Sequence, residues 1–370
     1  MARTNVGLRY IGSKARVVEA LANLIGSPSR SSSMFVDAFC GTGVVAAAAA
    51  RRGWSVRLND HLRCAVVLSA ARLVSREHAR FAGLGGYAEA VRTLNDLEGV
   101  EGFIWREYSP ASAKYGTSID AREPRFRRAD TSRSGRRYFT EENAIRIDAV
   151  RNQIAEWSAE GVITSAEENL LLGDLLEAVN GVANIAGTYG CFLAKWSPVA
   201  LQPLVLRPRQ LFPVRVEVEI YNGDARNVPV EEADTVYLDP PYTKRQYAAY
   251  YHILETIAVG DEPEVEGITG LRPWQDKASD YCYRRRALEA LRQLISALPA
   301  RRVLLSYSSE GHISLPQLED ALATLGSLSV HAVGDIGRYR PNRAACEAGD
   351  SVREVLLEVE RRARRTRAFA

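Results

Sequence analysis

The sequence predicts an α/β protein whose doubly wound sheet is interrupted by a large, mainly helical insertion. Strands and helices alternate in two segments, residues 1–63 and 212–360, while helical periodicity dominates residues 64–211. Strands that alternate with helices form parallel sheets, so the two outer segments are expected to fold as one discontinuous catalytic domain. Residues 361–370, with five arginines, are expected to form a basic C-terminal tail.

The composition indicates a chain that can fold on its own. Of the 370 residues 46% are hydrophobic, which is enough for a core. No stretch approaches the roughly 18 apolar residues of a membrane span, and the N-terminus lacks the apolar core of a signal peptide, so the cytoplasm is the expected location. The five cysteines are scattered, and neither disulfides nor a metal site are predicted.

The individual elements follow from apolar runs bounded by Gly, Ser, Asn or Pro. In the first segment we predict helices at 13–25 and 44–52 and strands at 34–36 and 56–58. In the later segment we predict strands at 215–221, 235–238, 302–306 and 354–359 and helices at 251–259, 284–298 and 315–325.

A glycine turn and three acids predict a cofactor site at the carboxyl edge of the sheet. Gly41 and Gly43 follow the first strand and let the backbone approach a ligand. Asp37 would repel a pyrophosphate but attract an ammonium or sulfonium, and S-adenosylmethionine carries both. Asp60 ends the second strand, where a carboxylate can accept from ribose hydroxyls. Asp224 follows a later strand and could accept from the adenine amine.

The run Asp239-Pro240-Pro241-Tyr242, directly after strand 235–238, supplies the predicted catalytic residues. The two prolines stiffen the turn. The Asp239 carboxylate and the Pro240 carbonyl can both accept hydrogen bonds from one amino group, and Tyr242 can stack on a base. A base in a duplex must be swung out to reach this turn. Positioning supplies much of the rate, so no covalent nucleophile or metal is needed.

These motifs resemble those of the amino-methylating DNA methyltransferases, specifically the adenine-N6 group of Dam and the FokI-type modification methylases. That group places the cofactor motif first, the target-recognition region next and Asp-Pro-Pro-Tyr last, as this chain does across residues 8–359. The resemblance implies a Rossmann-like, S-adenosylmethionine-dependent methyltransferase sheet with residues 64–211 as the target-recognition insertion. It implies methyl transfer to N6 of a flipped-out adenine at a specific DNA site.

The resemblance also implies roles for single residues. Tyr10 would pack on the cofactor, and Lys14 would approach the methionine end of the cofactor or the catalytic pocket. Together with the acids above, the predicted cofactor residues are Tyr10, Gly12, Lys14, Asp37, Phe39, Gly41, Gly43, Asp60, Asp224, Ala225 and Asp239. Residues implied near the target base or its flanking phosphates are Asn184, Tyr189, Lys195, Arg245 and Tyr247.

An arginine-rich segment at residues 122–137 has almost no large aliphatic side chains. We interpret it either as a solvated loop or as an arm on the DNA backbone, with Arg127 and Arg128 as phosphate ligands. The expected partner is double-stranded DNA, joined in a restriction or defence system by a cognate restriction endonuclease or other defence proteins. We expect a monomer or weak dimer associated with the nucleoid and not with a membrane.

Three other functions remain open from the sequence. They are cytosine-N4 methylation, adenine-N6 methylation of RNA, and DNA binding by a catalytically silent relative. Cytosine-N4 enzymes tend to have Ser in place of Asp in the proline turn, and a silent relative would have no need for intact Lys14, Asp37 and Asp239.

Overall fold

A computed structural model describes residues 11–117, 135–336 and 352–361. The chain divides into two compact units. The sheet unit comprises Gly12–Ser69, Val216–Gln246 and Ser279–Ala370. The helical unit comprises Met1–Ile11, Ala70–Arg215 and Tyr247–Ala278.

Seven strands form one mixed sheet in the sheet unit. They are β1 (Met34–Asp37), β2 (Ser55–Asp60), β3 (Val218–Asn222), β4 (Thr235–Leu238), β5 (Arg302–Ser308), β6 (Ser327–Ile336) and β7 (Val352–Glu360). Their order is β3-β2-β1-β4-β5-β7-β6. The pairs from β3 to β5 are parallel, and β7 lies antiparallel between β5 and β6. This architecture confirms the predicted α/β fold class.

Helices cover both faces of the sheet, as the period-two alternation of strand side chains requires. The helices of this unit are α1 (Val18–Ile25), α2 (Val44–Arg51), α10 (Ala287–Ala297) and α11 (Leu315–Ala323). On one face Phe35 packs in a cluster with residues of α1 and α2. On the opposite face the neighbouring Val36 packs with residues of α10 and α11. All five alanines of α2 are buried, and their small side chains let this helix approach the sheet closely.

The helical unit contains most of the remaining helices. Between α2 and α10 the chain forms α3 (Arg63–Leu73), α4 (Tyr87–Asp96), α5 (Phe103–Tyr108), α6 (Glu141–Ala159), α7 (Ser165–Val182), α8 (Tyr247–Tyr250) and α9 (His252–Val259). The two long helices begin at strong N-caps: Thr140 accepts from the Asn143 amide, and Thr164 forms a capping box with Glu167.

The structure differs from the sequence-based description in two places. Strand β6 was not predicted, because Ser327–Ile336 mixes small, polar and apolar residues and contains Gly334 at a register shift. Tyr247–Ala278, placed by sequence in the catalytic segment, belongs to the helical unit. None of the helices in the described ranges is long and apolar enough to cross a membrane.

Candidate active site

The sheet order changes direction between β1 and β4, and this is where open α/β sheets bind ligands, outside the carboxyl ends of the strands. Asp37 is the last residue of β1, and Asp239 follows β4 directly. Asp37 is paired in register with Tyr237, so Asp239 lies two residues further along the same edge. The predicted cofactor acid and the predicted catalytic acid therefore flank the switch point.

The other two predicted acids continue this row. Asp60 is the last residue of β2 and is paired with Asn222, the last residue of β3, two positions before Asp224. Along the edge the acids thus follow the strand order β3, β2, β1, β4. Four separate parts of the sequence bring carboxylates to one edge, which is an arrangement suited to a cationic, hydroxyl-bearing ligand.

The glycine turn after β1 requires its glycines. Gly41 and Gly43 have φ angles of +51° and +71°, in the left-handed region that disfavours side chains. A Cβ on Gly43 would lie 2.7 Å from Ser69 Cα. The Ser69 hydroxyl donates to the carbonyls of Cys40 and Gly41, at 3.2 and 3.1 Å, and so fixes the turn against α3.

Asp37 is a buried carboxylate with spare hydrogen-bonding capacity. It is 2% exposed, and its Oδ1 accepts no hydrogen bond from the described residues. Burial raises the pKa of Asp37 well above its usual range, and the negative charges of Asp239 and Asp60 add to the shift. A cation bound at this edge would offset both the cost of burying the Asp37 charge and its repulsion by the other two carboxylates.

Asp60 and Asp224 are already hydrogen-bonded within the chain. Asp60 Oδ2 accepts from the Gly41 amide at 3.1 Å, and Oδ1 accepts from the Leu62 amide at 3.0 Å. Asp224 caps a short 3₁₀ helix and binds the guanidinium of Arg226, which holds the pKa of Asp224 below its usual range. Each carboxylate oxygen has two lone pairs, so Asp60 can accept further bonds. Arg226 makes two contacts to each oxygen of Asp224, which can therefore accept from a ligand only in exchange for one of these contacts.

An aromatic pair stands beside these acids. The partly buried Phe39 packs edge-to-face on Tyr281, with ring centroids 5.5 Å apart. Burial and the charge of Asp224 raise the pKa of Tyr281, so its hydroxyl stays protonated. Ala225 is buried in the core beneath. This apolar surface next to hydrogen-bond acceptors would suit a purine.

The turn after β4 is held from two sides. The Tyr242 ring packs on Tyr307 with centroids 5.5 Å apart, and the Tyr242 carbonyl accepts from the His312 amide at 2.9 Å. Nε2 of the His312 ring in turn lies 3.1 Å from the Cys282 carbonyl oxygen. Pro240 is buried and Pro241 half-buried. The stiffness that two prolines predict is thus reinforced by the end of β5 and by the loop that follows it.

Lys14 is buried between two carboxylates. Its Nζ lies 3.0 Å from Asp239 Oδ1 and 2.5 Å from Glu354 Oε1, and the side chain is only 3% exposed. The same Nζ lies 5.3 Å from the centre of the Tyr242 ring. Lys14 begins a short 3₁₀ helix, and Gly12, two residues earlier, is exposed with a φ of +78°.

The charges of this cluster set its chemistry. Burial raises the pKa of Asp239 to about 6, Lys14 opposes the shift, and Glu354 adds to it. Burial alone would lower the pKa of Lys14, but the neighbouring carboxylates outweigh it and raise that pKa. At neutral pH Asp239 is therefore ionised and more basic than an ordinary carboxylate, which makes it a strong acceptor for an amine N–H.

Asn184, implied near DNA, lies buried within the helical unit. Its Nδ2 donates to the carbonyls of Arg137 and Leu193, both at 3.0 Å, and its Oδ1 accepts from the Ser197 amide at 2.9 Å. The amide group thus holds the loop that follows α7, and a direct contact of Asn184 with DNA stays a prediction.

Tyr189 is also fully buried in this unit. Its carbonyl accepts from the Tyr138 hydroxyl at 2.9 Å and lies 3.0 Å from His252 Nε2. Burial lowers the pKa of His252 to about 3, so the ring is neutral. Lys195 of the same loop is exposed, and its contact with DNA stays a prediction.

The remaining implied residues are distributed as follows. Tyr247 donates through its hydroxyl to the Ile11 carbonyl at 3.1 Å within the helical unit. In the sheet unit the Arg245 carbonyl accepts from Cys282 Sγ at 3.2 Å. Tyr10, Arg127 and Arg128 lie outside the described residues. Arg136, near the end of the arginine-rich segment, is fully buried and pairs with Glu107 at 2.7 Å.

Sequence reasoning missed three residues of the site: Glu354, Tyr281 and His312. Glu354 shares its strand with Arg353, Glu358 and Glu360, so the sequence does not single it out. Tyr281 lies in a short 3₁₀ helix and His312 in a loop, and neither gives a signal, since both reach the site only through the tertiary fold.

A mixed seven-stranded sheet with this row of acids and a rigid Asp-Pro-Pro-Tyr turn at its switch point defines an α/β methyltransferase. The chain belongs to the D12 class N6 adenine-specific DNA methyltransferase family, which matches residues 10–315. The predicted family is thereby confirmed.

Individual relatives agree with the family. Over 86% of its length the chain is 34% identical to the type II methyltransferase M.FokI of Planomicrobium okeanokoites, and over 96% it is 30% identical to the modification methylase StsI of Streptococcus sanguinis. Over 86% it is 32% identical to the type II methyltransferase M.NlaIII of Neisseria lactamica. The chain spans about half of the first two proteins (47% and 52%) but 89% of the third.

Proposed function

We propose that this chain transfers a methyl group from S-adenosylmethionine to N6 of adenine in double-stranded DNA. The observation that carries the proposal is the position of Asp239: a basic, ionised carboxylate in an Asp-Pro-Pro-Tyr turn, fixed by Lys14 at the switch point of the sheet. Membership of an adenine-specific family supports adenine as the target.

The row of acids fits the methyl donor. S-adenosylmethionine, when bound, supplies a methyl group already activated on a positively charged sulfur. Asp37 has an unused buried oxygen for a cationic group, Asp60 would accept from the ribose hydroxyls, and Asp224 would accept from the adenine amine. The Phe39 and Tyr281 rings offer an apolar surface for the adenine.

The turn after β4 would hold the target amine. Asp239 and the Pro240 carbonyl each accept one N–H, which leaves the nitrogen lone pair directed at the methyl carbon, while Tyr242 stacks on the base. A nitrogen–carbon bond forms as the carbon–sulfur bond breaks, and one amine proton is then released to Asp239 or to water. An acceptor whose pKa is about 6 can take this proton and return it to solvent.

DNA would be held mainly through its backbone. We assign phosphate contacts to Arg127, Arg128, Lys195 and Arg245, and contacts near the flipped base to Tyr247, with Asn184 and Tyr189 shaping the loop that carries Lys195. Target recognition by the helical unit is part of this proposal. We further propose that the protein works beside a cognate restriction endonuclease or other defence proteins. It would be located in the cytoplasm at the nucleoid, as a monomer or weak dimer.

The test is methyl transfer by the purified protein with isotopically labelled S-adenosylmethionine and unmethylated genomic DNA or total RNA. Digestion to nucleosides and mass spectrometry distinguish N6-methyladenine from N4-methylcytosine. We expect labelled N6-methyladenine from DNA alone, lost in Asp239→Ala and retained in Asp320→Ala, an exposed acid on α11. Label in cytosine would indicate cytosine-N4 methylation instead, and label in RNA would indicate RNA methylation. Donor binding without any transfer would indicate a catalytically silent relative.

A further inference from the structure

Glu354 is a buried carboxylate near the start of a sheet strand. It lies in β7, which pairs with β5 so that Glu354 is opposite Ser308. Its side chain is 1% exposed, and the residues after it, Val355 and Leu356, are buried and apolar. A charge at such depth destabilises a fold unless it is paired and hydrogen-bonded, so its presence calls for a role.

Hydrogen bonds and ion pairs connect Glu354 to Asp239, the predicted catalytic acid. Glu354 Oε1 accepts from the Ser306 hydroxyl at 2.8 Å and from Lys14 Nζ at 2.5 Å. The same Nζ lies 3.0 Å from Asp239 Oδ1. Lys14 thus bridges Asp239, which can touch the substrate, and Glu354, which is more deeply buried.

A single cation between two carboxylates leaves the cluster with one uncompensated negative charge. Without Glu354, the charge of Lys14 would act on Asp239 alone and weaken it as an acceptor for the target amine. With Glu354, Lys14 is shared, its position is fixed from behind, and Asp239 keeps its basicity.

We propose that Glu354 is a positioning residue for methyl transfer, which acts through Lys14 to orient Asp239 and to preserve its strength as a hydrogen-bond acceptor. This inference rests on the proposed function. The uncompensated charge has a second effect, because transfer moves positive charge from the donor sulfur to the amine nitrogen next to Asp239. A negative cluster at this point stabilises that charge where it develops.

The protonation of Asp239 agrees with this arrangement. Burial raises the pKa of Asp239, Lys14 lowers it, and Glu354 raises it. The titratable groups that face Asp239 from the surrounding elements are Lys14, Asp37, Tyr237, Tyr242 and Glu354. Neutralising Glu354 removes one of the two carboxylates and leaves Lys14, so the pKa of Asp239 should fall.

The test compares Glu354→Gln with Glu358→Gln, a matched control on the same strand. Glu358 also loses ion pairs on substitution, with Arg302 and His331, but none with Lys14. In Glu354→Gln we expect kcat to fall about tenfold, with the KM for DNA and the affinity for S-adenosylmethionine in calorimetry changed less than about twofold. The acidic limb of the kcat profile should move down by roughly one pH unit.

Glu354→Asp separates charge from position. It keeps the charge but withdraws the carboxylate by one methylene, so the acidic limb should stay where it is while kcat falls. This variant also serves if Glu354→Gln does not fold. A wild-type kcat in Glu354→Asp, or a Glu354→Gln profile that matches that of Glu358→Gln, would overturn the inference. If the wild-type protein methylates nothing, the proposed function fails instead, so the two failures are distinguishable.

Discussion

Lys14 Nζ lies 3.0 Å from Asp239 Oδ1, so that a residue of the first short helix fixes the carboxylate that follows β4. The Lys14 side chain is 3% exposed and that of Asp239 17%, so water screens the ion pair little. Because Lys14 occupies one oxygen of Asp239, the other is left to accept from a substrate. The strongest expectations about this protein follow from this pair and from the acids beside it.

The pair predicts how activity depends on pH. The pKa of Asp239 is raised from its ordinary value to about 6, so the carboxylate is lost as the pH falls through that value. We expect kcat to be constant above this pH and to fall about tenfold per unit below it. The measurement is kcat between about pH 5 and pH 8 at saturating substrates.

Lys14→Met tests the cause of this profile. Lys14 lowers the pKa of Asp239, so its removal should move the acidic limb up and lower kcat at neutral pH. Lys277→Met is the matched control, since it also removes a lysine from a buried acid, Glu255, in the helical unit. An acidic limb that Lys14→Met leaves unmoved would show that Asp239 does not set it.

Gly43 should be irreplaceable for two reasons. Alanine there is strained by the left-handed backbone, and its Cβ would meet Ser69 at 2.7 Å. We expect Gly43→Ala to lower the free energy of unfolding by more than about 2 kcal/mol and to weaken donor binding. Gly260 has a similar backbone, with φ of +79°, but only ordinary contacts. Gly260→Ala should cost about 1 kcal/mol. Equal losses in chemical denaturation would contradict the close packing of Gly43.

Asp37→Asn should stabilise the fold while weakening the binding of S-adenosylmethionine. The raised pKa of Asp37 means that its charged form is disfavoured by folding at neutral pH, so a neutral isostere should raise the melting temperature without ligand. Affinity for S-adenosylmethionine should fall about tenfold or more. Calorimetry and thermal unfolding measure both.

Asp148→Asn is the control for these two effects on stability and donor affinity. Asp148 is also buried, and burial raises its pKa to about 6, but it accepts from the amides of Ile104 and Trp105 in the helical unit. Its substitution should lower the melting temperature and leave donor affinity unchanged. Donor affinity that Asp37→Asn does not alter would remove Asp37 from the cofactor site.

Parts of the site were predictable because they depend on local sequence. The apolar runs before Asp37 and Asp239 form β1 and β4, and the glycines between strand and helix adopt the turn they predict. Each local signal placed a carboxylate at the end of a strand. The parallel order of the sheet then brought them to one edge.

Other parts depend on contacts that no local pattern encodes. Glu354 reaches Lys14 because β7 inserts between β5 and β6, and the sequence contains no sign of that strand order. Residues 247–278 join the helical unit through packing, although their pattern continues the alternation of strands and helices. Arg136 belongs to a segment that looks entirely solvated, yet its charge is buried against Glu107.

Arg127 and Arg128 lie outside the described residues, and their role in DNA binding is a prediction from charge. We expect Arg127→Ala/Arg128→Ala to weaken DNA binding and to reduce the slope of log affinity against log salt by about 2. The control is Arg51→Ala/Arg52→Ala, a pair at the end of α2 and so at the opposite edge of the sheet. An unchanged slope in the first variant would make the segment a solvated surface.

The central claim is that Asp239 acts in adenine-N6 methylation of DNA, and long-read sequencing of DNA from cells that express the protein tests it most directly. We expect N6-methyladenine within one short motif, present with the wild-type chain and absent with Asp239→Ala. DNA with no modified adenine in cells that contain the folded wild-type protein, or a motif still methylated by Asp239→Ala, would contradict it.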